Sequence, residues 1–482
     1  MNEFSNIEPK RVWEIFYELS QIPRPSGKEG KIREWAINWA EERELSWEKD
    51  DYGNLVITKK AAKSYEHLPG IVMQGHFDMV CEKEPEVEIN FDNDPIDLFI
   101  DGEYVTAKGT TLGADNGIAI AMAFAFLEEN IETCQIEVLL TVEEETGLFG
   151  ATNLNPGIVK GRNLLNLDSE EWGTITIGCA GGGDSVVEFP VTRSTDINWS
   201  KYKLTIGGLH GGHSGIDIDK NLANALKLIG RFLYPISSEG RIVDLNAGNL
   251  RNAISRDGEV TIALASEKKS WIMDYFDIFK KEIMNEWEKA EPNITLEFNE
   301  VETQLSPLDK ESTLKIARFM VSAPHGVIRY SPIITSLVET STNFAISKLS
   351  EKEMKFVFST RSSVMSALEA ARNEISSLAE LIGVQAKQEA AYPGWEPNID
   401  NNWFKLVERK YTEALGSNPK VEVIHAGLET GAIGGKIPEM MMVAFGPEIS
   451  GAHSPSENVE IESVARIYSL VNNIVIAFSS EN

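Results

Sequence analysis

The strongest constraint on the fold is a series of short, nearly continuous apolar runs that end in polar residues. They are Asn54-Leu-Val-Ile-Thr58, Gly70-Ile-Val-Met-Gln74, Ile136-Glu-Val-Leu-Leu-Thr141 and Asn163-Leu-Leu-Asn-Leu167. Runs of this length with little polar alternation read as strands buried on both faces. Between the second and third lies Gly117-Ile-Ala-Ile-Ala-Met-Ala-Phe-Ala-Phe-Leu127, long and apolar enough for a buried helix. Strands that alternate with such helices predict an α/β unit with a mostly parallel sheet flanked by helices.

The texture changes after Gly181-Gly-Gly183. Strand patterns at Tyr202–Gly207 and Glu259–Leu264 alternate there with amphipathic helical patterns at Asn221–Tyr234, Trp271–Glu288 and Val364–Ile382. Two loosely similar runs, near 200–300 and 308–390, suggest a duplicated α+β arrangement. The loop Ala391-Tyr-Pro-Gly-Trp-Glu-Pro397 then punctuates the chain. Sheet-and-helix material returns beyond it, with a helix at Asn402–Leu415, a strand at Met440–Phe445 and a helix at Ile461–Phe478. At 482 residues two domains are expected. The pattern predicts one α/β domain split between residues 1–184 and 392–482, with an α+β domain, 185–391, inserted in it. Near the start, Ile7 to Arg43 reads as helical, with Ser26 and Glu29 spaced as a capping box.

The chain carries 74 acidic and 45 basic residues, a net charge of −29. That balance disfavours nucleic acid and anionic membranes as partners, since both need phosphates neutralised. No run of eighteen apolar residues occurs, and the first residues lack a signal-peptide pattern, so neither a membrane span nor a leader is expected. Cys81, Cys134 and Cys179 are odd in number and scattered, which argues against a disulfide framework and fits a reducing cytoplasm.

Metal-ligand residue types recur just after the apolar strands. Gly75-His76-Phe77-Asp78 follows the second, Glu143-Glu144-Glu145 the third, and Asp168-Ser-Glu-Glu171 the fourth. Gly451-Ala-His453-Ser-Pro455 lies shortly after Met440–Phe445, and Asp115-Asn116 opens the apolar helix. In open α/β sheets the ligand crevice lies outside the carboxyl ends of the strands, so these segments could converge. Each alone has a plainer reading: a polar pair for His76 and Asp78, a helix cap for Asp115, a solvated turn for Glu143–Glu145. Asp168 alone could cap a strand end, and His453 could serve a loop. Their recurrence at one rim favours a metal site.

The chain resembles the aminoacyl-histidine dipeptidases of the peptidase D type, within the di-zinc peptidases that include aminoacylases and carboxypeptidase G. The likeness runs nearly end to end. It rests on Gly75-His-Phe-Asp-Met79, Gly109-Thr-Thr-Leu-Gly-Ala-Asp-Asn-Gly117, Glu144-Glu145, Asp168-Ser-Glu-Glu171, Gly178-Cys-Ala-Gly-Gly182, Gly211-Gly-His-Ser-Gly215, Leu250-Arg-Asn-Ala253, Tyr392-Pro-Gly-Trp395, His425-Ala-Gly-Leu-Glu429 and His453-Ser-Pro455. The resemblance implies a catalytic di-zinc domain interrupted by a lid, two Zn²⁺ ions replaceable by Co²⁺ or Mn²⁺, and a cytoplasmic homodimer. One zinc would take His76 and Asp168, the other Glu145 and His453, with Asp115 bridging. Asp78 would orient His76, Glu144 would be the general base, and His213 would face the oxyanion.

Asn252, Arg361 and the backbone of Gly427 would hold the substrate carboxylate, an end that suits a planar guanidinium. With groups drawn from both domains, closure would complete the site. The substrates implied are unblocked dipeptides, Xaa-His dipeptides such as carnosine among them. An N-acyl-amino-acid deacylase or a tripeptidase on the same machinery is the alternative. Ser255 stands where the family pattern usually carries proline, which would soften the turn presenting Asn252. No chemical role can be read for His425, and a role for His210 rests only on its nearness to His213.

Overall fold

The structure, a computed structural model, describes residues 3–481 except 333, 335 and 336. The chain divides into two compact units. The first comprises Met1–Cys179, Trp395–Val423 and Leu428–Asn482; the second comprises Ala180–Gly394 and Ile424–Gly427.

The first unit is built on an eight-stranded sheet. Its order is Ser46–Lys49, Leu55–Lys59, Ile136–Thr141, Ile71–His76, Asn163–Asn166, Met441–Ala444, Thr174–Cys179 and Lys420–Ile424. The four central strands, from Ile136–Thr141 to Met441–Ala444, run parallel. Ser46–Lys49, Leu55–Lys59 and Thr174–Cys179, outside them, pair antiparallel with their inner neighbours. The sheet is therefore mixed, which corrects the expectation of a mostly parallel one. The physical reason is connection length: residues 50–54 can only turn the chain back, whereas a parallel neighbour needs a long crossover.

The central strands Ile71–His76, Ile136–Thr141 and Asn163–Asn166 are buried along their whole length. Helix Ala114–Glu128 crosses between the first two and is buried on nearly every side, hence its unbroken Ala, Ile and Phe content. The segment read as one helix from Ile7 to Arg43 is two, Lys10–Ser20 and Gly30–Glu42. Pro23 and Pro25 lie in the break, where proline and the residue before it disfavour helix. Ser26 and Glu29 form no capping box, and both turn instead toward the candidate site described below.

Helix Ile461–Glu481 is long and apolar enough, by length and composition, to cross a membrane. Its face of Val464, Ile467, Leu470, Val471, Ile474 and Val475 is buried, and it packs against helix Asn402–Leu415 as a core helix does. A small sheet, Ile449–Ser450, Asn458–Glu460, Tyr104–Ala107 and Leu98–Asp101, brackets the loop that carries His453 and Glu457.

The second unit holds two βαββαβ halves side by side in one antiparallel sheet. The first runs through strand Ser200–Gly207, helix Ala225–Ile236, strands Arg241–Ala247 and Gly258–Leu264, helix Lys269–Trp287 and strand Thr295–Val301. The second uses strand Gly181–Pro190, helix Lys310–Ser322, strands Val338–Leu349 and Glu353–Ser362, helix Met365–Leu381 and strand Ala386–Gln388. Each half shows the same strand order in mirror image, and Arg241–Ala247 pairs with Val338–Leu349 at the seam. The first half is thus inserted after the first strand of the second, so the repeat is nested rather than tandem. Its core is aromatic, with Phe232, Phe279, Phe298, Phe319, Phe344, Phe356 and Phe358 all buried.

Candidate active site

Strand Ile71–His76 ends on a buried histidine whose two nitrogens do different work. Nδ1 lies 3.2 Å from the Asp78 carbonyl oxygen and 3.4 Å from an Asp78 carboxylate oxygen. Both are acceptors, so Nδ1 carries the proton and Nε2 presents a lone pair. Nε2 in turn faces Asp115 Oδ1 at 3.0 Å and Asp168 Oδ1 at 3.2 Å. Gly75 is required here, because a Cβ at that position would sit 2.2 Å from Asn116 Oδ1. Asn116 in turn accepts from the His76 backbone N–H and donates to the Leu167 carbonyl, tying three ligand segments together. The Asp115–Asn116 peptide is cis.

Asp78 does more than orient His76. Its carboxylate accepts from the Ser26 hydroxyl at 2.7 Å and from the backbone N–H groups of Glu144 and Glu145 at 3.0 and 3.2 Å. Glu29 accepts from the N–H groups of Gly27 and Glu143. One buried carboxylate therefore holds both a ligand histidine and the acidic turn. That turn places Glu143 at φ 52°, and His453 sits at φ 62°; left-handed backbone in non-glycine residues is uncommon and gathers at functional sites.

His453 Nε2 faces two carboxylates as well, Asp115 Oδ2 at 3.2 Å and Glu145 Oε2 at 3.0 Å. Among the described residues three groups place ligand atoms within 4.8 Å of one another: His76, Asp115 and Asp168; Asp115, Glu145 and His453; and His76, Glu144 and Glu145. The first two share Asp115 and otherwise use each residue once, leaving Glu144 over.

The donor set fits divalent cations on two observations. A single Nε2 position shared by two carboxylate oxygens is what ligands converging on a positive centre look like, and both histidines show it. Asp168 Oδ1 and Glu145 Oε1 are also buried without a hydrogen bond among the described residues, a costly state unless a cation completes it. The electrostatics agree. Burial, with the Asp168, Glu429 and Glu145 carboxylates nearby, pushes Glu144 up to about 9. Burial, then Asp115 and Asp168, pushes Glu170 up to about 7. Hydrogen bonds to Asp115 and Glu145 push His453 up to about 11. The His453 shift comes first from its carboxylate neighbours, whereas burial leads for Glu144 and Glu170 with neighbouring carboxylates adding to it; cations would offset that carboxylate contribution.

Several residues that support this cluster went unrecognised in the sequence. Glu457, buried, accepts four backbone N–H groups, from Leu112, Gly113, Ala114 and Asp115. Buried Arg24 donates to the carbonyls of Phe77, Asp78 and Gly113. Glu429 accepts from Gln74 and Thr141, which lie on the two strands that lead to His76 and Glu144. A signal existed for two of these: Glu457 lies two residues past His453-Ser-Pro455, and Glu429 closes His425-Ala-Gly-Leu-Glu429.

The second unit gathers His213, Arg361 and the 424–427 segment. The His213 ring accepts at Nδ1 from the N–H groups of Gly215 and Ile216, at 3.3 and 3.2 Å. Its proton therefore sits on Nε2, which becomes a donor. Burial and the nearby Arg361 lower its pKa, which favours the neutral ring. Asn252 lies beside it through the pairing of Gly212–His213 with Ala253–Ile254. Ser255, expected to loosen this turn, is buried and tied by its hydroxyl to the Asp257 carbonyl and by its carbonyl to Ala225 N–H. Hydrogen bonds replace the proline's constraint.

Arg361 is buried, donates to Ser214 and Tyr392 hydroxyls, and makes no ion pair among the described residues. His425, left without a role in the sequence, is buried against the Ser341 hydroxyl at 2.8 Å. The carbonyls of Ile424 and Ala426, on either side of it, accept from Ala180 N–H.

A mixed α/β sheet with paired imidazole and carboxylate ligands at its strand ends defines a metal-dependent hydrolase. The comparisons with known proteins carry this further. Residues 72–477 match Peptidase family M20/M25/M40, and the chain belongs to that family of metallopeptidases. It is 38% identical over 479 residues to the cytosol non-specific dipeptidase of Escherichia coli (strain K12), covering 98% of this chain and 99% of the relative. The aminoacylhistidine dipeptidase structure from Vibrio alginolyticus superimposes with a TM-score of 0.94 at 38% identity, over 99% of this chain and 98% of that one. An aminopeptidase of Bacillus cereus shares the fold, with a TM-score of 0.56 at 18% identity over 98% of this chain and 100% of that one.

Proposed function

We propose that this metallopeptidase hydrolyses unblocked dipeptides, including Xaa-His dipeptides such as β-alanyl-histidine, with two zinc ions in the cytoplasm. The carrying observation is the pair of ligand groups that share Asp115 and leave Glu144 unused. The near full-length likeness to relatives named as dipeptidases supports the substrate class.

In this reading His76 and Asp168 hold one ion, Glu145 and His453 the other, and Asp115 both. Two imidazoles and three carboxylates suit zinc, and Co²⁺ or Mn²⁺ would substitute. When bound, the ions supply Lewis-acid polarisation of the scissile carbonyl and acidify water. Glu144 takes a proton from the attacking water and delivers it to the leaving amine nitrogen. Its burial among carboxylates makes it a ready proton holder. His213, neutral with its proton on Nε2, donates to the developing oxyanion. Arg361, a buried cation with no anionic partner among the described residues, receives the substrate's C-terminal carboxylate, with Asn252 and the Gly427 backbone as further donors. We propose a homodimer as the working state.

The test is hydrolysis of glycyl-leucine, β-alanyl-histidine and N-acetyl-histidine by zinc-restored wild type and Glu144→Gln. The expected result is cleavage of the two free-amine substrates only. Glu144→Gln should keep its metal and lose on the order of 10²–10⁴ in kcat. Cleavage of the blocked substrate instead would make the protein a deacylase.

A further inference from the structure

One histidine of the second unit is held more firmly than a surface residue requires. His210 precedes His213 by three residues in Gly208-Leu-His-Gly-Gly-His213, and its side chain is 50% exposed. Beneath it lies the completely buried carboxylate of Glu291. One Glu291 oxygen accepts from the His210 backbone N–H at 2.8 Å and faces ring Nδ1 at 2.7 Å. The other oxygen accepts from Ala223 N–H at 2.9 Å.

Stapling the loop explains the backbone bond, which any residue but proline would supply at 210. The ring bond is additional, and it sets the orientation of a half-exposed imidazole. An ionised carboxylate only accepts, so Nδ1 carries the hydrogen of this contact. In the neutral ring Nε2 is then an acceptor, and it makes no hydrogen bond among the described residues. His210 lines a cavity of about 400 Å³ together with His213, Asn249, Leu250 and Asn252. Leu250 is 56% exposed and offers an apolar contact beside these polar groups. An oriented acceptor next to an apolar contact suits a polar ring that donates an N–H.

We infer that His210 is a specificity residue, whose Nε2 accepts the ring N–H of a C-terminal histidine in the dipeptide. Glu291 is its positioning residue. This rests on the dipeptidase reading, which sets His213 and Asn252 beside the substrate. An aliphatic C-terminal side chain offers no donor and gains nothing from His210.

The experiment uses zinc-restored full-length protein with glycyl-histidine, glycyl-leucine and a glycyl-N-methylhistidine whose neutral ring has no N–H. Wild type should favour glycyl-histidine over the methylated dipeptide by about tenfold in kcat/KM, the scale of one hydrogen bond. That preference should appear in KM. His210→Phe should lose the preference between the two histidine dipeptides, a cycle that isolates the ring contact. The wild-type comparison does not depend on how well the variant folds. Equal rates on both histidine substrates in wild type, or a preference that survives in His210→Phe, overturns the assignment and leaves the dipeptidase reading intact. Wild type inactive on all three dipeptides removes that reading, and the assignment with it.

Discussion

Asp78 shows how one side chain can hold a site without joining its chemistry. Its carboxylate bonds His76, Ser26 and the N–H groups of Glu144 and Glu145, so its removal should disturb a ligand and the acidic turn at once. Asp78→Ala is expected to weaken metal binding by about 10–100-fold, read by competition with a chelator. Unchanged affinity would show that the turn holds itself. His425 carries a different consequence. Burial, then Arg361, pushes its pKa down to about 3, against ~6.5 when unfolded. Between those values the unfolded chain takes up a proton that the folded one refuses. The contribution of neutral His425 is therefore complete above pH ~6.5 and declines as pH falls toward 3. Between pH 7 and 5 the stability gap between wild type and His425→Gln should shrink by about 2 kcal/mol in urea unfolding.

Among the elements, the loop before helix Ala114–Glu128 is the one most dependent on a distant partner. Leu112 to Asp115 direct four N–H groups at Glu457, which lies in the loop between strands Ile449–Ser450 and Asn458–Glu460. Glu457→Ala would leave buried donors unsatisfied, and is expected to cost about 1–3 kcal/mol of stability. The same variant should speed hydrogen exchange at 112–115 and weaken metal binding through Asp115. Protection unchanged in that loop would mean its conformation is intrinsic. The helix itself was legible, since an unbroken apolar run of that length has few other uses. Its partner was not: Glu457 is 342 positions from Asp115, and no local pattern links residues so far apart. The supposed capping box at Ser26 and Glu29 failed for the same reason. The spacing was right for a helix start, but Asp78 and Glu143 offered those side chains tertiary partners.

For the whole molecule, the surplus of carboxylates at one rim predicts that metal and stability are coupled. Chelation should lower the melting temperature, and zinc should restore it. At a thousandfold excess of metal over its dissociation constant, mass action contributes about 4 kcal/mol. Equal melting with and without metal would contradict a cation-dependent rim. What the sequence determined by itself was the set of buried strands, the apolar helix, the change of texture after Gly183 and the ligand types at the strand ends. These follow from hydrophobic periodicity and residue chemistry, which are local properties. The tertiary structure decided the mixed strand directions, the nesting of one βαββαβ half inside the other, and the tautomers of His76 and His213. It also decided the buried supports, Arg24, Glu429 and Glu457. Each of these depends on which distant groups meet after folding, and a buried polar group takes its role from the partner that satisfies it.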